Sequence, residues 1–301
     1  MTEKHVLISV VVPTYNYAHY LPRALDSVLC QWQEGLELII VDDGSTDSTE
    51  ALLAQYVARH PFMRVVRQVN SGAAAARNHG ILMSHGDYVL PLDADDELMP
   101  SAISVLRTLL LAAPATDIVL GAHFSVSPDG RERLRPPTPV PVATARQLAK
   151  AYLLEKRIAM SHSCTLFRRE LLLKRPYPQT LRAGEDIPVF AFLLVNGKVA
   201  ITPQPIAKIY KHPDSLRNSR FDEEAMALAV VQEVFASLPT QCQPLRSRYE
   251  AQRYLSLFRA ALLARDRPTA WRFYRHALGL SPLQALRWTY FRKASRLLFK
   301  A

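Results

Sequence analysis

Short apolar runs alternate with amphipathic segments through the first third of the chain. Four runs of strand length are rich in aliphatic residues, at 6–12, 36–41, 63–68 and 88–92. The segments between them place apolar residues at helical spacing, at 20–31, 49–59 and 73–84. A continuously apolar strand is typical of a sheet that is buried on both faces. The pattern therefore predicts an α/β domain with a doubly wound, mostly parallel sheet, whose ligands bind at the carboxyl ends of the strands.

The alternation continues less regularly up to residue 221, and the chain then becomes wholly helical. Further strands are predicted at 118–126, 164–167, 198–201 and 206–210, and helices at 100–111, 144–155 and 186–196. Residues 135–141 contain four prolines and are predicted to form a surface loop. We therefore expect one α/β domain over 1–221, divided near residue 127, followed by a helical region over 222–301.

Three carboxylates follow the fourth strand within four residues: Asp93, Asp95 and Asp96. Like charges this close repel each other, and a buried carboxylate without a cationic partner is costly. The cluster therefore predicts a metal ion, or a ligand that brings one. The alternative is a helix start, because Asp95, Asp96 and Glu97 precede the helix predicted at 100–111 and anions favour a helix N-terminus. A second acidic stretch, 42–47, also follows a strand.

The charge of the chain is unevenly distributed. The 301 residues include 37 Lys and Arg against 27 Asp and Glu, a net charge of +10. Residues 243–301 hold 13 of the basic residues and only two acids, Glu250 and Asp266, so residues 1–242 have 24 basic residues against 25 acids. A neutral body with a basic tail indicates a polyanionic partner, such as a membrane surface, a phosphorylated glycolipid or nucleic acid. No nucleic-acid partner is expected, because the chain has no recognised binding module for one.

The cellular location is expected to be cytoplasmic, and a peripheral position on the inner membrane face stays open. The first residues lack a basic start and a long apolar core, and the apolar run at 187–195 is far shorter than the roughly 18 residues of a spanning helix. The three cysteines, Cys30, Cys164 and Cys242, are widely spaced and include no C-x-x-C pair. This spacing favours neither a disulfide framework nor a zinc site.

Five short segments, taken in order, resemble the motif set of the family-2 glycosyltransferases. They are VVVPTYN at 10–16, VDDGSTD at 41–47, NSGAAAARN at 70–78, LDADD at 92–96 and GED at 184–186. The resemblance covers residues 6–215 and rests on the common order and spacing of five motifs rather than on any one of them. It implies an inverting enzyme with the GT-A fold, which is Rossmann-like. The predicted domain would then have a nucleotide-binding part at 1–127 and an acceptor part at 128–221.

The resemblance assigns most of these positions to a nucleotide-sugar donor and a divalent ion. It implies Mn²⁺ or Mg²⁺ held by Asp95, with His212 reaching the metal or the phosphates and Asp93 meeting the ribose or the metal. Asp96 is expected to start the next helix. The remaining donor-binding residues would be Pro13, Thr14 and Tyr15 beside the base, Asp43 accepting from a uracil or thymine N–H, and Arg77 at the phosphates. More ordinary roles stay open: Asp42 as a turn acid, Arg77 as a surface charge and His212 as a structural residue.

Glu185 and Asp186 match the catalytic acidic pair of the family, with Asp186 at the position of the general base. A sugar hydroxyl becomes a good nucleophile only as its proton is removed, and a carboxylate can accept that proton. The alternative for Asp186 is a helix cap before Ile187 and Pro188. The resemblance thus predicts transfer of one sugar from a UDP- or dTDP-linked donor to a glycan or lipid-linked glycan, as in lipopolysaccharide, O-antigen or capsule synthesis. A catalytically inactive nucleotide-sugar-binding scaffold at the membrane is the alternative function.

The basic tail lies outside the resemblance. Residues 284–288 spell the Q-x-x-R-W motif of processive synthases, but they lie 98 residues after Asp186 in a chain without spanning segments, so we expect a non-processive enzyme. At helical spacing, seven apolar residues share one face and four basic residues lie opposite: Leu283, Leu286, Tyr290, Phe291, Ala294, Leu297 and Leu298 against Arg292, Lys293, Arg296 and Lys300. Such a helix either lies in an anionic membrane interface or packs its apolar stripe on its own domain.

Overall fold

The computed structural model describes residues 6–211 and 223–299, without the side chains of Leu298 and Phe299. Within these residues the chain forms two compact units, one of Met1–Val142 with Ile158–Asn218 and one of Ala143–Arg157 with Ser219–Ala301. The segment 143–157 therefore belongs to the helical unit, although the sequence suggested that it lies in the α/β domain. The domain boundary expected near residue 221 stays a prediction, because that position is outside the described residues.

The described part of the first unit is a nine-stranded mixed sheet with helices. The strands are β1 Ile8–Thr14, β2 Leu36–Asp42, β3 Arg64–Arg67, β4 Tyr88–Pro91, β5 Glu97–Leu98, β6 Ile118–Val126, β7 Glu132–Arg135, β8 Thr165–Arg168 and β9 Val199–Tyr210. Their order in the sheet is β3-β2-β1-β4-β8-β6-β9-β5, and β7 pairs with β6. The helices are α1 Leu21–Leu29, α2 Thr49–Arg59, α3 Ala73–Met83, α4 Ala102–Ala112, α6 Arg169–Leu173 and α7 Asp186–Asn196.

The predicted α/β fold with a central sheet is confirmed, and the sheet is parallel in its first half and again where β6 pairs with β9. Strands β3, β2, β1 and β4 are joined by parallel pairing, whereas β8 pairs antiparallel with both β4 and β6. The two strands predicted at 198–201 and 206–210 form one strand, β9, because both parts pair with β6 across an irregularity in register near Gly121 and Ala122.

Burial on both faces explains the continuously apolar strands. One face of β1 and β2 packs with α1 and α4 in a core that includes Leu25, Leu38 and Leu106. On the other face, Ala76 of α3 packs on Ile39 and Val41. Gly80 lets α3 approach the sheet closely, since a Cβ atom there would stand 2.3 Å from Cγ1 of Val11. The tight packing fixes where α3 begins relative to the strand ends.

Parallel register brings the polar strand ends to one edge of the sheet. Thr14 at the end of β1 pairs with Asp42 at the end of β2. On the other side of β1, Val11 pairs with Pro91, and its carbonyl accepts from the Leu92 backbone N–H at 2.9 Å. The segments that follow β1, β2 and β4 therefore start side by side, as expected for a ligand-binding edge.

The second unit is wholly helical in its described part. Its helices are α5 Ala145–Leu153, α8 Glu223–Ser237, α9 Arg246–Leu263, α10 Arg267–Leu280, α11 Pro282–Ala285 and α12 Trp288–Phe299, with a 3-10 helix at Thr240–Leu245. Helices α9 and α10 share a core that includes Tyr254, Phe258 and Tyr274. Helix α5 joins this unit, because Gln252 of α9 donates to the Leu154 carbonyl at 3.2 Å. No helix in the described ranges is long and apolar enough to cross a bilayer.

Candidate functional site

The ends of β1 and β2 form the first part of the site. Thr14 is buried, and its backbone carbonyl accepts from the Asp43 N–H at 2.9 Å. Pro13 is half-buried, and Tyr15 is 44% exposed beyond the strand end. An exposed aromatic ring at a strand carboxyl end suits a nucleobase, the role predicted for Pro13, Thr14 and Tyr15.

Asn16 joins this part of the site to the acidic turn after β2. It adopts a φ of 54°, which Asn tolerates better than most residues. Its side-chain oxygen accepts from the backbone N–H of Thr46 at 2.7 Å and of Asp47 at 3.3 Å. No role was predicted for Asn16 from the sequence, where its signal is an amide residue shortly after the strand end, in the run Pro-Thr-Tyr-Asn.

The neighbouring acids Asp42 and Asp43 have different partners. Asp42 accepts from the Ser45 N–H at 2.9 Å, which is the turn role left open for it. Asp43 is 3% exposed, and its carboxylate accepts from Gln68 Nε2 at 2.7 Å and from the backbone N–H groups of Ser71 and Gly72 at 2.9 and 2.8 Å. A carboxylate has about four lone-pair sites, so three protein donors leave one for a ligand. Asp43 therefore holds the loop that leads into α3.

Arg77 connects three separate elements at the centre of the site. Its guanidinium donates from Nη2 to Asp93 Oδ1 at 2.9 Å, after β4, and from Nη1 to Glu185 Oε1 at 2.8 Å, before α7. Arg77 is 7% exposed, so the alternative of a solvated surface charge is wrong. Burial opposes the charged form, but the coulombic effect of Asp93 and Glu185 prevails and raises the pKa of Arg77 above its ordinary value.

The three carboxylates after β4 have different environments. The Asp93 side chain is about one-third exposed (33%), and Asp95 is half-buried. Asp96 is 3% exposed and accepts from Ser163 Oγ at 2.5 Å and from the Tyr210 backbone N–H at 2.9 Å. Burial, with the charges of Asp93 and Asp95, raises the pKa of Asp96 well above its ordinary value.

The prediction that Asp96 starts a helix is wrong. The next element is the short strand β5, and helix α4 begins after Ser101 as its N-cap residue. Asp96 instead ties the acidic segment to β9 through the backbone of Tyr210. A strand pairing remote in sequence therefore replaces the local helix start that the charges suggested.

Glu185 and Asp186 lie at the N-terminal end of α7, as predicted. Glu185 is the N-cap residue but makes no capping hydrogen bond, since its side chain binds Arg77. Asp186 is the first helical residue rather than the cap. Burial and the charge of Glu185 raise the pKa of Asp186, while Arg77 lowers it. A carboxylate that holds its proton more firmly than usual is a stronger base once ionised, which suits general-base chemistry near neutral pH.

A buried aromatic pair, not given a role by the sequence, supports this centre. His162 Nε2 and the Tyr177 hydroxyl lie 3.1 Å apart, and Asn78 binds the Tyr177 backbone through two hydrogen bonds of 2.8 Å. Burial and the charge of Arg77 lower the pKa of His162 to about 3, so this imidazole is neutral. The cation–π geometry of Arg77 over the Tyr177 ring, at 5.8 Å, completes the packing. Sequence alone offered no signal for this pair beyond two aromatic residues on separate loops.

The residues after β4 provide the oxygen ligands that a hard divalent ion favours. Mg²⁺ and Mn²⁺ favour oxygen ligands and are usually held by one or two carboxylates together with substrate phosphates. Asp93 and Asp95 supply such oxygens and are partly accessible. Across 6–211 and 223–299, no group of three or more His, Cys, Asp or Glu residues forms a ready-made metal cage. His212, the other predicted metal ligand, lies outside the described residues.

Comparisons with known proteins agree with this architecture. The model of glycosyl transferase family 2 matches residues 9–175. Over 104 residues the chain is 38% identical to the uncharacterized glycosyltransferase YibD of Escherichia coli K12, an alignment that covers 35% of this chain but only 30% of YibD.

Two solved structures resemble the fold. Staphylococcus aureus TarS 1–349 in complex with UDP-GlcNAc aligns with a TM-score of 0.70 and 19% identity, covering 93% of this chain and 82% of TarS. The mannosyltransferase PcManGT from Pyrobaculum calidifontis, in complex with GDP-Man and Mn²⁺, aligns with a TM-score of 0.55 and 18% identity, covering 97% and 84%. At such identities the likeness concerns the fold alone, and it agrees with the GT-A architecture.

Proposed function

The chain belongs to glycosyl transferase family 2, and from this premise we propose that it transfers one sugar, with inversion, from a nucleotide-sugar donor to a glycan acceptor. The observation that carries the proposal is the pair of hydrogen bonds from Arg77 to Asp93 and Glu185. This bridge holds the acidic segment after β4 against the N-terminal end of α7. The carboxylates assigned to the donor and the carboxylate assigned to the acceptor are thereby kept within one polar centre.

The proposed donor site is the nucleotide-binding part, 1–127. Tyr15 and Pro13 would face the base, and the free lone pair of Asp43 would accept the imide N–H of uracil or thymine. UDP-GlcNAc in the TarS complex and GDP-Man in the PcManGT complex support a nucleotide-sugar donor in general. We favour a UDP- or dTDP-linked sugar because the family resemblance assigns the position of Asp43 to the imide N–H of uracil or thymine.

Mn²⁺ or Mg²⁺, held by Asp95 and Asp93, would neutralise the charge that develops on the leaving diphosphate. The Mn²⁺ in PcManGT supports this cofactor class. His212 remains a candidate ligand. The Nη1 and Nη2 groups of Arg77 donate to Glu185 and Asp93, so its proposed role is to position these two acids. This differs from the phosphate contact that the resemblance implied.

Asp186 would act as the general base, with Glu185 held beside it by Arg77. The acceptor hydroxyl oxygen attacks the anomeric carbon as its proton passes to Asp186, and the bond from that carbon to the diphosphate oxygen breaks with the electron pair leaving on the diphosphate. One displacement on the face opposite the leaving group inverts the configuration. The part of the first unit after residue 127, described at 128–142 and 158–211, would receive a glycan or lipid-linked glycan of a bacterial cell-surface polymer.

Donor turnover tests the proposal. The full chain is incubated with UDP- and dTDP-sugars, and released nucleotide diphosphate is measured with Mn²⁺, with Mg²⁺ and with EDTA. We expect turnover only with metal, and a fall of at least 100-fold in Asp95→Ala and in Asp186→Asn. Asp129→Asn, in an exposed turn, is the matched control and should retain the wild-type rate.

Metal-independent turnover, or near-normal rates in both variants, would refute the proposed mechanism. Tight nucleotide-sugar binding without any turnover in the wild type would favour the inactive scaffold instead. Thermal shift with the same donors separates these outcomes, because binding to the folded state raises the midpoint even when no chemistry follows.

A further inference from the structure

Four large apolar side chains are exposed within nine residues at the end of the helical unit. Leu283 is 88% exposed, Leu286 53%, Trp288 70% and Phe291 44%. The Trp288 and Phe291 rings lie 6.5 Å apart between centroids. Single exposed apolar residues are ordinary, but a group of four that includes two aromatic rings marks an interaction surface.

The apolar stripe that the sequence predicted for this region is divided between two environments. Ala294 is buried, and Tyr290 and Leu297 pack on the core of the helical unit. These three residues hold α12 in place, so the packing alternative is correct for them. Trp288 and Phe291 lie on other faces of α12 and remain exposed. They therefore contribute little to holding the unit together.

The same segment is strongly basic. Arg287, Arg292, Lys293 and Arg296 are all exposed. Only two acids occur from residue 243 onward, and one of them, Asp266, caps helix α10 by accepting from the Thr269 N–H at 3.1 Å. The positive charge of the segment is therefore not balanced by nearby acids in the chain sequence, and an anionic partner would be attracted.

A groove beside α12 combines both properties. It has a volume of about 320 Å³ and is lined by three basic and three apolar residues, Arg259, Lys293, Arg296, Leu262, Leu263 and Leu297. Cations next to an apolar floor match a phosphate headgroup joined to a hydrocarbon chain.

We propose that α11 and α12 form a docking surface for an anionic lipid bilayer. Trp288, Phe291 and the exposed leucines would enter the interface between headgroups and acyl chains, and the flanking cations would contact lipid phosphates. A second copy of the chain fits less well, because it would bring two basic surfaces together. Nucleic acid would not explain the exposed leucines. The proposal does not depend on the proposed sugar transfer.

Vesicle co-sedimentation of the full chain, without donor or acceptor, tests this surface. We expect binding to vesicles of phosphatidylethanolamine with phosphatidylglycerol, weaker binding as salt increases, and little binding to pure phosphatidylcholine. Trp288→Ser combined with Phe291→Ser should lower the partition coefficient roughly a hundredfold, since each ring contributes about tenfold through apolar burial. Arg292→Gln should lower it about fivefold.

Matched controls lie on the α/β unit. Leu111→Ser removes an exposed apolar side chain of α4 (60% exposed), and Arg133→Gln removes an exposed cation of β7, so both should bind vesicles like the wild type. Circular dichroism and the thermal midpoint check that each variant is folded. Equal binding to neutral and anionic vesicles, wild-type binding by the double variant, or a preference for RNA or DNA over anionic vesicles would overturn the proposal.

Discussion

Replacing Arg77 by Met tests whether the buried charge bridge holds the site together. The guanidinium makes charge-assisted bonds of 2.8 Å to Glu185 and 2.9 Å to Asp93. Removing one partner of a buried ion pair costs about 3–5 kcal/mol, because the remaining charges lose their counter-ion. The Asp93 side chain is 33% exposed, and water screens it in part. We therefore expect the lower end, about 3 kcal/mol, which corresponds to a fall in Tm of roughly 6–12 °C for a unit of this size.

The measurement is differential scanning fluorimetry at several pH values, with Arg131→Met as the control. Arg131 also pairs with a carboxylate, Asp129, but its side chain is 85% exposed. Its loss should therefore lower the free energy of unfolding by only about 0–1 kcal/mol, which corresponds to a fall in Tm of about 0–4 °C. Arg77→Lys should fall between the two, because an ammonium cannot span both carboxylates as the planar fork does.

The deficit of Arg77→Met should also depend on pH. Arg77 lowers the pKa of Asp186, whereas burial and Glu185 raise it. Without Arg77 the folded-state pKa of Asp186 rises further above its unfolded value, and such a group loses its stabilising effect as pH increases. The difference in Tm between variant and wild type should therefore be larger at about pH 7.5 than at about pH 5. A fall in Tm equal to that of Arg131→Met, or one that becomes smaller as pH rises, would contradict a stabilising role for the Arg77 bridge.

Two further predictions concern stability. Burial lowers the pKa of His162 to about 3, whereas the same side chain in the unfolded chain binds a proton near pH 6.5. The free energy of unfolding of the wild type should therefore fall by about 2 kcal/mol between about pH 6.5 and 5. In urea unfolding, the free energy of unfolding of His162→Gln should fall less than that of the wild type over this pH range. Parallel plots of this free energy against pH for the two proteins would contradict a neutral, buried His162. Gly80→Ala should destabilise by about 1–3 kcal/mol, because the new Cβ meets Val11 at 2.3 Å. Gly279→Ala in helix α10, where a Cβ atom would meet nothing within 4 Å, is the control and should be neutral or stabilising by up to about 1 kcal/mol. Equal changes in the free energy of unfolding for the two variants would show that α3 adjusts its position freely.

Much of this protein is determined by local pattern and connectivity. Apolar runs of strand length, separated by helical periodicity, specify the β1–β4 half of the sheet, because β1, β2 and β4 are buried on both faces. Parallel register then places residues after β1, β2 and β4 at one edge. The sequence therefore sufficed to locate the acidic clusters at the strand ends and to identify the family.

Tertiary structure alone decided how the individual side chains are used. Arg77 meets Asp93 and Glu185, which are 16 and 108 positions away along the chain. Asp96 binds the Tyr210 backbone instead of starting a helix, and the stripe of α12 is divided between core and solvent. Burial and partner choice depend on which distant segments pack over a residue, and helical or strand periodicity carries no information about those segments.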